Sequence, residues 1–193
     1  MKDRIGILGG SFDPPHVGHT AMAEAARLVL ELDRVLLMPA PRPPHKNPDG
    51  LSSWEHRVEM ARLAAGELDG LEVSLHEADT PGDSYTAEAL RRYRRLYEGE
   101  IYFILGADSL RDLPGWKEPE AILSLATLVV FPREGIEPRL FGKDEAGVVV
   151  FESPVIDVSS SEIRRKRRAG EAIDSLVAPP VLDYILNHDL YTG

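Results

Sequence analysis

Eleven residues, Gly9 to His19 (GGSFDPPHVGH), limit what this chain can fold into more than any other stretch. An apolar run, Ile5-Gly6-Ile7-Leu8, precedes them, and a helical pattern beginning near Thr20 follows. The order is strand, glycine turn, helix start. Gly9 and Gly10 carry no Cβ, so the backbone there can turn sharply and approach a ligand closely. Pro14 and Pro15 stiffen the turn and keep it out of helix. His16 and His19 share one face if the helix begins here, and Gly18 removes bulk beside them. A helix start favours anions through its N–H groups and dipole, and two added imidazoles make a phosphate site. A metal pair and a plain structural turn are the competing readings. The Gly-x-Gly-x-x-Gly dinucleotide fingerprint is absent.

Beyond this turn the chain alternates strand-like and helix-like segments. Ala21, Ala25, Leu28 and Leu32 predict the apolar face of a first helix. Arg34 to Pro39 predicts a short buried strand, and the proline-rich stretch 39–53 predicts a loop. Ser52 and Glu55 fit a capping box for a helix carrying Trp54, Val58, Ala61 and Ala65 on one face. Further strands are predicted at 71–75, 101–105, 128–131 and 148–151. A helix with Leu90, Tyr93 and Tyr97 inward is stopped by Gly99. Two more helices lie near 160–169 and 179–188. Apolar strands separated by helices imply a Rossmann-like, doubly wound, mostly parallel sheet covered on both faces. Right-handed crossovers then put the ligand crevice at the C-terminal strand ends. The opening turn and the loops at 106–116 and 157–161 can all meet there. With no linker, repeat or low-complexity tract, residues 1–193 are expected to form one domain.

The 193 residues carry a formal net charge of −10, which argues against a protein that coats nucleic acid. A phosphate ligand remains allowed, because a few local donors outweigh a distant negative surface. Cysteine is absent, which removes disulfides, thiolate zinc sites and a thiol nucleophile. The N-terminal apolar run is too short for a signal peptide, and no stretch approaches bilayer length, so the expected location is cytoplasmic with no membrane partner.

Four further constellations carry candidate chemistry. In Pro41 to Lys46 (PRPPHK) the prolines present His45 and Lys46, the latter a point charge suited to phosphate, or else the loop is merely solvated. In Ser84 to Leu90 (SYTAEAL) Ser84 or Thr86 can cap a helix whose start, with Tyr85, also offers N–H groups to a carboxylate. In Phe103 to Trp116 (FILGADSLRDLPGW) Gly106 and Asp108 sit just past a strand end. Asp108 can cap a helix or bind ribose hydroxyls. Trp116 lies in a Pro-Gly loop, where an indole is less expected in the core. In Val158 to Arg164 (VSSSEIR) Ser159 and Glu162 fit a capping box, and Ser159, Ser160 and Arg164 make a second anion site.

The opening eleven residues resemble the GxFDPxHxGH signature of the nucleotidyltransferases that share a fold core with class I aminoacyl-tRNA synthetases. With PPHK, SYTAEAL, GADS and Trp116, VSSSEIR and the tail VLDYILNHDLY, in that order along nearly the whole chain, the sequence resembles the bacterial nicotinate-nucleotide adenylyltransferases. This resemblance implies that ATP and nicotinate mononucleotide form nicotinate adenine dinucleotide and pyrophosphate, a step of NAD biosynthesis. It implies that Gly9, Gly10, Ser11 and Phe12 line the mononucleotide and its phosphate turn. His16 and His19 would hold the ATP phosphates at the reacting centre, with Ile7 on the same side. Lys46, with His45, would handle phosphate charge. Ser84, Tyr85, Thr86 and Trp116 would hold the nicotinate ring, and Gly106 and Asp108 the nucleotide sugar or base. Ser159, Ser160 and Arg164 would hold the outer phosphates of ATP, and Arg133 is a weaker phosphate candidate. The family uses Mg²⁺ held largely by phosphate oxygens and water, so no protein ligand is assigned. A homo-oligomer is allowed.

The chain departs from the family pattern at Ala89, at Val158 to Ser161 and at Glu134, where the family often has Thr, Ile-Ser-Ser-Thr and proline. Pantetheine-phosphate adenylyltransferases usually have Thr at the position of His16, a class I synthetase would need a longer chain, and a non-catalytic nucleotide sensor would not need His16, His19, Lys46 and Arg164 together.

Overall fold

The structure, a computed structural model, describes residues 3–44, 50–78, 82–132, 147–151 and 158–193. Among these residues six strands form one sheet: β1 (Arg4–Gly10), β2 (Arg34–Pro39), β3 (Leu71–Val73), β4 (Glu100–Gly106), β5 (Thr127–Phe131) and β6 (Val148–Val150). Their order is β3-β2-β1-β4-β5-β6, and every neighbouring pair is parallel. The order reverses beside β1, so the doubly wound sheet opens a crevice between the C-terminal ends of β1 and β4. The helices are α1 (Val17–Val29), α2 (Trp54–Ala65), α3 (Thr86–Leu96), α4 (Ala107–Asp112), α5 (Pro119–Leu125), α6 (Ser160–Arg168) and α7 (Pro179–Asn187). None is long and apolar enough to cross a membrane.

The strands read as apolar runs because both faces of the sheet are covered. Ile5, Ile7, Leu36, Met38, Phe103, Leu105, Leu128 and Val130 pack with α3, α4 and α5. Leu8, Val35, Leu37, Ile104 and Val129 pack against Ala23, Ala26, Ala61 and Ala65 of α1 and α2. The far side of α2 meets α6 and α7 through Met60, Ala64, Ile163, Val181 and Ile185.

Several local expectations change. The buried face of α1 is Gly18, Ala23 and Ala26, whereas Leu28 is exposed. Apolar residues lie all around this helix, so spacing alone selects the wrong stripe. The cap of α2 is Ser53, whose Oγ accepts from the His56 N–H at 3.4 Å, not Ser52. Residues 107–112 form α4 rather than a loop, and α5 is a further helix that the apolar pattern does not show.

Helix α3 ends at Leu96, before Gly99. What Gly99 answers is a close approach: a Cβ there would lie 1.6 Å from the Asp3 carbonyl oxygen. That oxygen already accepts from the Glu100 N–H at 2.9 Å. Gly99→Ala must therefore displace the strand entrance, costing about 1–3 kcal/mol or more. The melting temperature should fall by about 3–10 °C. An unchanged melting temperature would show that the entrance of β4 yields freely.

Candidate active site

Among the described residues, two cavities that share a wall open at the C-terminal edge of the sheet. The first, of about 300 Å³, lies beside α1 and α6 and includes Leu8, His16, Gly18, Gly106, Asp108 and Ser159. The second, of about 340 Å³, lies toward α3 and includes Gly10, Ser11, Pro43, Pro44, Ser84, Tyr85 and Thr86. They share six residues: Gly9, His19, Phe103, Ser109, Trp116 and Ser160. Each cavity has the scale of a small-molecule site, and the shared wall makes them neighbours rather than alternatives.

The opening turn gives the shared wall Gly9 and His19. His16 is the N-cap of α1 and His19 stands at the third helical position. The His16 backbone N–H donates to His19 Nδ1 at 3.2 Å. A neutral His19 ring then carries its proton on Nε2. The two imidazoles stack with centroids 3.7 Å apart. Phe12, buried and held at φ 49°, presents its ring to the edge of His19 at 5.0 Å. Phe12 therefore supports the histidine and does not line either cavity. Ile7 is likewise fully buried and outside both.

The turn is held from behind. Asp13 is fully buried, and its Oδ1 accepts from the Tyr191 hydroxyl at 2.7 Å while Oδ2 accepts from the Ser52 N–H at 3.3 Å. Burial beside Asp13 pushes the Tyr191 hydroxyl far above the ordinary tyrosine range. Arg164 donates to the Asp13 carbonyl at 2.7 Å and lies 3.8 Å from its carboxylate. It lines neither cavity; it ties the start of α6 to the turn. Ser160 does the same by donating to the Pro14 carbonyl at 2.8 Å. Ser159 caps α6, accepting from the Glu162 N–H at 3.2 Å, as its spacing predicts.

On the second cavity the cap of α3 is the Tyr85 backbone, and neither Ser84 nor Thr86 caps through its side chain. Ser84 Oγ instead accepts from the Arg42 N–H at 3.1 Å. Asp108 is in the first turn of α4 behind the N-cap Gly106, so it is not the cap. Its carboxylate lies 4.0 Å from Arg111.

Sequence reasoning missed Lys117 and Glu77, which line the second cavity. The Lys117 ammonium bonds Glu88 at 2.6 Å and sits 4.2 Å above the Tyr85 ring. Buried Glu77 pairs with Arg92 at 3.3 Å, and burial raises its pKa. Only the neighbourhood of Trp116 marks Lys117 in the sequence; nothing marks Glu77. His45, Lys46 and Arg133 lie outside the described residues.

Residues 7–166 match the cytidylyltransferase-like family. A Thermus thermophilus protein named "Probable nicotinate-nucleotide adenylyltransferase" is 45% identical over 191 residues, spanning 97% of this chain and 99% of its own. A Roseiflexus protein of the same name is 42% identical over 193 residues, 97% of each chain. The chain belongs to the nicotinate-nucleotide adenylyltransferase family. Its fold is that of the Plasmodium falciparum nicotinic acid mononucleotide adenylyltransferase complexed with NaAD, at a TM-score of 0.80 and 21% identity over 98% and 97% of the two chains. In this member of the nicotinate-nucleotide adenylyltransferase family the two cavities adjoin, with His19 in their common wall.

Proposed function

We propose that this chain transfers the adenylyl group of ATP to nicotinate mononucleotide, releasing pyrophosphate. The observation that carries this is the shared wall: His19, Gly9 and Ser160 border both cavities. ATP takes the first cavity and the mononucleotide the second. The mononucleotide phosphate oxygen attacks the α-phosphorus in line. A bond forms between them as the bond to the pyrophosphate oxygen breaks. The attacking oxygen is already an anion, so no strong general base is needed. The barrier lies in bringing polyanions together and in charge on the transferred group. Positioning and electrostatic stabilisation therefore dominate.

His19 and His16 donate to the phosphates at the reacting centre. Gly9, Gly10 and Ser11 bring the backbone close to the mononucleotide phosphate. Gly106 and Asp108 contact the nucleotide sugar or base. Thr86 and Trp116 hold the nicotinate ring. The family resemblance assigns phosphate charge compensation to His45, Lys46 and Arg133. Among the described residues no group of three or more His, Asp or Glu is arranged to hold a metal ion. We assign Mg²⁺ to the reaction as an ion that phosphate oxygens and water would carry, offsetting triphosphate charge. Chromatography of a reaction with ATP and nicotinate mononucleotide tests the proposal; a new dinucleotide is expected, and its absence contradicts it.

The part of Arg164 is sharpened by its contacts. Its loss frees the start of α6, whose Ser159, Ser160 and Ser161 line the first cavity. Arg164→Ala should raise KM for ATP about tenfold, as the loss of a charged hydrogen bond allows, and KM for the mononucleotide less. Equal effects on both would place Arg164 elsewhere in the mechanism.

A further inference from the structure

Arg57 lies on α2, on the same face as Trp54 and Ala61, and is 2% exposed. An arginine is rarely buried unless its donors are used. Here they are spent on backbone carbonyls from three segments. Nη1 donates to Ser11 at 2.9 Å and to Ala40 at 2.8 Å. Nη2 donates to Pro41 at 3.0 Å, and Nε to Ser52 at 3.2 Å. Ser11 belongs to the phosphate turn, and Ala40 to the loop after β2. Both line the second cavity, on different segments. The clamp continues beyond them. The peptide after Pro41 gives its oxygen to Arg57 and its Arg42 N–H to Ser84, next to the start of α3. Asp13, the buried carboxylate of the same turn, accepts from the Ser52 N–H while the Ser52 oxygen accepts from Arg57.

We propose that Arg57 is a positioning residue that sets the spacing between the phosphate turn and the loop after β2, and so the width of the mononucleotide cavity. A planar guanidinium can reach four carbonyls at fixed angles, which an ammonium cannot do. Two of those carbonyls belong to Ser11 and Ala40, which line the second cavity. The first cavity includes none of residues 40–44, so ATP should not sense the loss directly. The inference rests on the assignment of the second cavity to the mononucleotide.

The test compares wild type, Arg57→Gln and Arg57→Lys for melting temperature, kcat, and KM for each substrate. Arg57→Gln is expected to lower kcat/KM for nicotinate mononucleotide at least tenfold per folded molecule, with KM for ATP within twofold. Arg57→Lys keeps the charge but not the span, and should still lose threefold or more with the same selectivity. Full rescue by lysine would show that charge alone matters and overturn the proposal. So would a fall in melting temperature with unchanged kinetics, or equal shifts for both substrates. If the glutamine variant does not fold, the lysine variant decides by the same criteria. A wild type without turnover would instead defeat the assignment of the cavity, and this inference with it; an active wild type with unaffected variants defeats this inference alone.

Discussion

His19→Ala is expected to lower kcat by ~10²–10³ with a smaller change in KM for ATP, because a donor aimed at the transferring phosphoryl acts mostly in the transition state. The geometry behind this is specific. His19 borders both cavities, whereas His16 borders the first. Its Nδ1 is engaged by the His16 N–H, which directs the proton to Nε2. Stacking on His16 and the edge contact with Phe12 hold the ring plane. A ring held this way needs little rearrangement when charge develops on the phosphoryl oxygens. The measurement is steady-state kinetics on folded protein, with the melting temperature as control. A lower melting temperature with full activity per folded molecule would make His19 a packing residue.

The second large effect concerns the acid against the amide. A preference of at least ~10²-fold in kcat/KM is expected for nicotinate over nicotinamide mononucleotide. The stacking proposed for Trp116 would not distinguish the two rings. The difference must come from the 3-substituent. Helix α3 begins at Thr86 in the second cavity, and the first N–H groups of a helix have no carbonyl a turn earlier to bond. Two carboxylate oxygens suit such donors and the positive dipole end. An amide NH₂ would set donor against donor, costing about 1–3 kcal/mol, to which the lost charge-assisted bond adds. Lys117 adds a positive charge nearby, moderated by its bond to Glu88. Trp116→Ala should weaken both substrates and leave much of the ratio. Kinetics with both mononucleotides at one pH and one Mg²⁺ concentration check this; a ratio near one would contradict the role of the helix start.

The frame and the opening turn are legible in the sequence for different reasons. Strands such as Arg34–Pro39 are visible because burial on both faces leaves an uninterrupted apolar run. The turn at 9–19 is visible because two glycines, two prolines and two histidines each restrict the backbone or the chemistry. Helices α4 and α5, at six and seven residues, are too short for a 3.6-residue period to register. The cap of α3 is misread from sequence because Ser84 spends its hydroxyl on a loop 42 residues away. Arg57 carries a faint signal, a charge within an apolar stripe, but its four partners are carbonyls, which no side-chain pattern reveals. Residue type and motif assign Arg164 to phosphate, whereas its bond to Asp13 spans 151 residues of sequence.

The central claim is that one wall, with His19 in it, joins an ATP cavity to a nicotinate mononucleotide cavity. Pyrophosphate release from ATP, measured against nicotinate mononucleotide, nicotinamide mononucleotide and phosphopantetheine, tests it most directly. The account predicts stoichiometric release with nicotinate mononucleotide, much slower release with the amide, and none with phosphopantetheine. Release with phosphopantetheine alone, or with none of the three, would contradict it.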